Sequence, residues 1–148
     1  MATFRFRAAV VLDLRLKQEQ AALAVRSQAE GRFREAVGTV TATETRRHGS
    51  QQELAALERR GSDLGAILWH RNWIDRLRGL VELACRDRDD RARELAAADE
   101  RWRETRRRRL AIERLRDRAW ERFQKDEQRR EQKDMDELAR IRHLTPDL

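Results

Sequence analysis

Tyrosine is absent from this chain of 148 residues, cysteine and proline occur once each, and glycine only six times. Each scarcity closes a class of protein. The lone Cys85 cannot form an intramolecular disulfide, and His48, His70 and His143 are too scattered to make a cluster at metal-ligand spacing. With 5% aromatics and few turn-forming residues, where an ordinary domain has about 5% Pro and 7% Gly, a compact enzyme core is not expected. No Gly-rich phosphate loop and no nucleophile beside a base can be read, so neither a cofactor nor catalysis is expected. Long apolar runs are missing too. Nothing approaches the roughly eighteen apolar residues of a membrane span, and the basic start Met1-Ala-Thr-Phe-Arg-Phe-Arg leads only into the short stretch Ala8 to Leu12. The chain reads as soluble and cytoplasmic.

What is present is charge of both signs. Charged residues make up 41% of the chain, with 34 Lys+Arg against 27 Asp+Glu and a formal net charge of +7. Lys17, Lys125 and Lys133 are the only lysines, so the basic side is almost all arginine, which stays protonated near neutrality. Because acids sit among the arginines at helical spacing, much of the local field cancels. Self-repelling disorder and specific nucleic-acid binding are therefore secondary readings.

The apolar residues repeat at steps of three and four. Ala22, Val25, Ala29, Phe33, Ala36 and Val40 make one stripe, extended backwards through Leu12, Leu16 and Leu23 and forwards through Leu54, Leu57, Leu64 and Leu68. Further on, Ile74, Leu77, Val81 and Ala84 form a seam, followed by Leu95, Ala98, Trp102 and Thr105, then by Ile112, Leu115, Ala119 and Phe123. Arg88, Arg91 and Arg109 interrupt it. A second helix running to Pro146 without a proline would reach roughly 120 Å at about 1.5 Å per residue, so it needs a partner along its length.

The fold class expected is all-α, a long two-helix antiparallel coiled-coil hairpin with a C-terminal helical overhang. It is one rod over 1–148, with a helix over about 3–60, a bend at about 61–63 and a helix over about 64–143. Gly61-Ser62-Asp63 is the preferred bend, since Gly supplies positive φ and Ser62 or Asp63 can cap the next helix. The stretch Gly38 to Ser50, with Thr39, Thr41, Thr43, Thr45 and Gly49, is the weakest helix, and a break near His48-Gly49-Ser50 is the alternative. Counting equal rise from Gly61 puts Phe4 beside about residue 118 and leaves roughly the last twenty-five residues unpartnered.

Three strings carry a resemblance to a known family: Phe4-Arg5-Phe6 followed by Val11-Leu12-Asp13-Leu14-Arg15, then Trp102-Arg103-Glu104, and the ending Glu131-Gln132-Lys133-Asp134-Met135-Asp136-Glu137-Leu138-Ala139. In this order and at this length, the chain resembles the FliJ family of the flagellar protein-export apparatus. The resemblance implies a non-enzymatic central stalk and export-chaperone escort serving flagellum biogenesis and cell motility. Its implied partners are the export ATPase hexamer, the cytoplasmic domain of the export gate and export chaperones, with only peripheral membrane association at the cytoplasmic face of the inner membrane. It assigns gate contact to Trp73, Leu77, Leu80 and Ala84. ATPase-ring contact falls to Phe4, Phe6, Leu12, Phe123, Met135, Asp136, Glu137 and Leu138. Trp73, Leu77 and Ala84 equally suit the seam, the phenylalanines suit closure of the coil end somewhat better than partner contact, and Asp136 and Glu137 equally suit a solvated face.

Other readings stay open beside it: the equivalent stalk of a virulence type III secretion system, a basic coiled-coil nucleic-acid-binding protein, and a scaffold that homodimerises through the overhang. Arg106 to Arg109 point in four directions around a helix, because successive residues are about 100° apart. With Glu100, Glu104 and Glu113 at three- and four-residue spacing they suit surface salt bridges better than a groove-reading patch. Trp69, Trp73, Trp102 and Trp120 are expected to pack in the core or an interface, since their irregular spacing makes no stacking platform for bases.

Overall fold

The computed structural model describes residues 3–144 and holds two helices, α1 (Ala9–Arg60) and α2 (Leu64–Leu144), with no strand among the described residues. Pro146 lies outside the described residues. The all-α antiparallel hairpin read from the sequence is the fold observed.

The turn follows from three residues. Arg59 and Arg60 place positive charge in the last turn of α1, where the helix dipole favours it. Gly61 then adopts φ 68°, a left-handed conformation that costs a residue with a Cβ about 1–2 kcal/mol. Its N–H donates to the carbonyl of Glu58 at 3.3 Å, and that of Ser62 to Leu57 at 3.1 Å. This pair of bonds satisfies carbonyls that a helix end otherwise leaves open. Asp63 begins α2 by accepting from Ile67 N–H at 3.2 Å. Its carboxylate oxygen sits 3.1 Å from where a Cβ on residue 65 would lie, so a side chain at Gly65 would have to displace it slightly. The alternative break at His48-Gly49-Ser50 does not occur, since α1 runs through it.

The chain divides into two compact units. The unit of residues 20–103 holds the turn, and α1 folds back along α2 within it. Ile74, Leu77, Val81 and Ala84, at steps of three, four and three, are buried on α2, with Ala98 further along. α1 contributes Ala29, Ala36, Val40 and Ser50. Two ion pairs join the helices here: Glu58 accepts from Arg71 at 2.8 Å and Asp99 from Arg26 at 2.8 Å. Arg26 and Asp99 are nearly equidistant along the chain from the turn, as an antiparallel pair of equal rise requires, while Arg71 reaches back a few residues to Glu58.

The other unit combines the chain start up to Glu19 with the part of α2 from Glu104 onward. Leu12 is its most buried apolar residue. Here the helix begins at Ala9 rather than near residue 3. From Phe4 to Ala8, burial alternates with period two, with Phe4, Phe6 and Ala8 half-buried and Arg5 and Arg7 exposed. Up to Phe6 the chain is irregular and lies on α2, and a turn at 7–8, closed by Ala9 N–H donating to the Phe6 carbonyl at 3.2 Å, leads into α1. A non-helical residue advances up to about 3.3 Å where a helical one advances about 1.5 Å. Phe4 therefore reaches Trp120 and Phe123, beyond the residue 118 expected from equal rise. Past Phe123, α2 continues to Leu144 with every residue except Glu127 exposed.

Candidate partner-binding surfaces

Near the turn, the four residues assigned to gate contact share a helical face but not an environment. Leu77 is 0% exposed and Ala84 is buried, both in the seam beside Ile74 and Val81. Trp73 is half-buried, while Leu80 is 41% exposed. The four do not form one exposed stripe, because a helical face about 60° wide straddles the border between seam and solvent. Available on the solvent side are Leu80, Leu83 at 60% exposure and Trp69 at 61%. Trp69 stacks on Trp73 with centroids 6.2 Å apart and meets His70 edge-on at 5.0 Å. At steps of four, seven and three, Trp69, Trp73, Leu80 and Leu83 keep within about 80° of each other around α2. Trp69 and Leu83 were not assigned from the sequence. The signal for them is their phase, one step off the seam.

In the unit that carries the chain start, Phe4 packs edge-on against Trp120 at 5.0 Å and tilted against Phe123 at 5.5 Å, and Trp120 stacks on Phe123 at 5.7 Å. Phe4, Trp120 and Phe123 thus pack together at this end, where Phe6 is half-buried and Leu12 buried. Rings in these geometries add about 0.5–1.5 kcal/mol per pair beyond area burial. Arg5, Arg7 and Arg122 rim a groove over this cluster. Met135, Asp136, Glu137 and Leu138 lie elsewhere, all exposed, on the extension of α2. With Ile141 and Leu144, Met135 and Leu138 are the apolar points of an otherwise polar helix. The eight residues assigned to ring contact therefore fall into two groups: a packed aromatic end and an uncovered helix.

The arginine run is largely paired. Arg107 and Arg108 both donate to Glu104, each at 3.0 Å. Such surface pairs contribute about 0.2–0.5 kcal/mol each. Arg109 differs: it reaches across to Glu19 on α1 and along its own helix to Glu113 at 2.8 Å. Its side chain is only 17% exposed and that of Glu19 15%. The hydrogen bond that the guanidinium donates to Glu19 foremost, with the one to Glu113 behind it, raises its affinity for its proton against the opposing effect of burial. The sequence marked Arg109 as a charge in the seam; its partner, ninety residues away, could not be read without the register. A second cross-helix site joins Arg26 and Asp99, where the Arg26 guanidinium also lies 4.8 Å over the Trp102 ring and Asp99 accepts from Arg103 at 2.9 Å.

Among the described residues, no group of His, Cys, Asp and Glu is placed to hold a metal ion, and no helix is long and apolar enough to cross a membrane. Cys85 is a free, half-buried thiol.

No curated protein matches the chain. A solved structure described as a YscO homolog from Chlamydia trachomatis is similar in fold, with a TM-score of 0.53 over 96% of each chain at 15% sequence identity. The family described as flagellar FliJ protein matches residues 4–147, nearly the whole length over which the two helices and the non-helical start were traced. The chain belongs to the FliJ family, a family of flagellar type III export.

Proposed function

We propose that this protein is a non-enzymatic central stalk and chaperone escort of the flagellar type III export apparatus, acting as one domain in the cytoplasm at the inner face of the membrane. The observation that carries the proposal is the family match over residues 4–147, joined to a hairpin whose second helix continues past the aromatic closure at Phe123. That exposed continuation, with Met135, Asp136, Glu137 and Leu138, is the part offered to the export ATPase ring. Phe4, Phe6, Leu12 and Phe123 hold its base and present the arginine-rimmed groove. The flank of α2 near the turn is offered to the export gate through Trp73 and Leu80, extended by Trp69 and Leu83. Leu77 and Ala84 support that surface from beneath while α1 covers them.

A stalk changes hydrolysis in a ring without chemistry of its own, by touching some subunit states more favourably than others. Ion pairing of Arg107, Arg108 and Arg109 with neighbouring acids favours a protein-contact role over a polyanion-binding one. The test is to mix the purified chain with its cognate export ATPase and follow ring formation by mass and ATP hydrolysis by phosphate release. Formation of a complex with increased hydrolysis at stoichiometric addition is expected. No complex and no change in rate would overturn the proposal.

A further inference from the structure

In the unit of residues 20–103, one stretch of α1 is built from residues that weaken a helix and has no packing reason to be so built. Gly38 and Gly49 lie inside the helix, and a Cβ added at either would meet nothing within 4 Å. Neither glycine is required by a close approach or a positive φ, yet each costs about as much as the loss of fivefold in a helix–coil ratio relative to Ala. Between them, Thr39, Thr41, Thr43 and Thr45 each donate a hydroxyl hydrogen bond to the carbonyl four residues back, at 3.1, 3.1, 2.8 and 2.9 Å. Such back-bonding competes with the helix ladder, and β-branched side chains lose rotamer freedom in it.

The cross-helix ion pairs stand on either side of this stretch, Arg26 with Asp99 and Glu58 with Arg71. Among the described residues none ties 38–50 itself to α2. Arg88 is held charged chiefly by Asp89 and only slightly by Glu44 across the pair. The stretch buries Val40 and Ser50, and by the register of the flanking pairs it lies over Leu77, Val81 and Ala84 of α2.

We infer that α1 between Gly38 and Ser50 opens locally from α2 and uncovers Leu77, Val81 and Ala84 while the flanking turns stay paired. Local openings of this kind start where the helix itself is least stable, here at two interior glycines and four back-bonded threonines. The inference needs no export partner, although an opened segment would also make Leu77 and Ala84 reachable by one.

The experiment measures thiol labelling in the full-length chain carrying Cys85→Ser, with Ala84→Cys or Ala98→Cys as the reporting thiol and a small aromatic disulfide as reagent. Ala84 and Ala98 are both buried on α2, but only Ala84 lies under the weak stretch. The Ala84→Cys thiol is expected to label at least about tenfold faster than the Ala98→Cys thiol. Adding Gly38→Ala and Gly49→Ala should slow the former by about thirtyfold, the effect of two helix-propensity steps. Equal labelling rates for the two thiols, or an equal slowing of both, would overturn the inference by showing that exposure follows global unfolding. Amide hydrogen exchange of the unsubstituted chain supplies a second reading that needs no new thiol. Faster exchange at 38–50 than at 20–30 supports the opening, and equal protection contradicts it.

Discussion

Replacing Glu19 by Gln removes the charge that Arg109 meets across the helix pair while keeping the shape of the side chain. Arg109 Nη2 lies 3.4 Å from one Glu19 oxygen and its Nε donates to the other, and both side chains are largely shielded. Hydrogen bonds to charged groups are worth about 1.5–3 kcal/mol, and a shielded charge robbed of its partner costs more than an exposed one. Arg109 retains Glu113 at 2.8 Å, so the lower end applies, about 1.5 kcal/mol for Glu19→Gln. With a urea slope of about 2 kcal/mol per molar, the unfolding midpoint falls by about 0.75 M. Arg109→Leu should cost more, because it leaves two carboxylates in the seam without a cation. The double variant Glu19→Leu with Arg109→Leu should recover most of that loss, since replacing both partners by apolar groups is often close to neutral. Circular dichroism at increasing urea measures the parent, the single variants Glu19→Gln, Glu19→Leu and Arg109→Leu, and the double variant. A midpoint for Glu19→Gln within about 0.2 M of the parent, given that slope, or a double variant as unstable as the two single effects added, would refute the reasoning that this is a shielded, coupled pair.

Leu77→Ala should destabilise by about 2–5 kcal/mol, as deletions from a filled core do, while Leu80→Ala should stay within about 0.5 kcal/mol, both read from thermal melts. A gate-binding assay should respond to Leu80→Ala in a protein of unchanged melting midpoint. Gly61→Ala places a Cβ in the left-handed region and should lower stability by about 1 kcal/mol, visible as a melting midpoint reduced by about 2–4 °C in a chain of this size. Phe4→Ala should cost about 3 kcal/mol or less, because its ring is only half-buried, and should change the emission of Trp120, against which it packs edge-on.

The sequence made the hairpin legible because one physical signal, the three-four apolar repeat, ran through both arms, and one glycine stood where a left-handed residue was needed. Ile74, Leu77, Val81 and Ala84 were readable as a seam for the same reason. What could not be read was phase and register at the scale of a single residue. Leu77 and Leu80 look alike in the sequence, yet they differ by about 60° in angle around α2 if steps are ideal, and that separates a closed seam from an open flank. The Glu19 to Arg109 pair depends on the register of both arms. The non-helical start was missed because so few residues do not outweigh a helix pattern, although the alternation of Phe4, Arg5 and Phe6 carried the signal. Conversely, Gly38 and Gly49 suggested a break that did not occur. Their cost is modest beside the cooperative gain of a helix held on both sides by paired neighbours.

The central claim is that the uncovered part of α2 beyond Phe123 is what acts on the export ATPase. The direct measurement compares ATP hydrolysis by the cognate ATPase with the full-length protein and with a chain ending at Phe123, at equal stoichiometry. Because the removed residues are exposed, the shortened chain should keep its melting midpoint and lose stimulation. A folded, shortened chain that stimulates hydrolysis as well as the full-length protein would contradict the account.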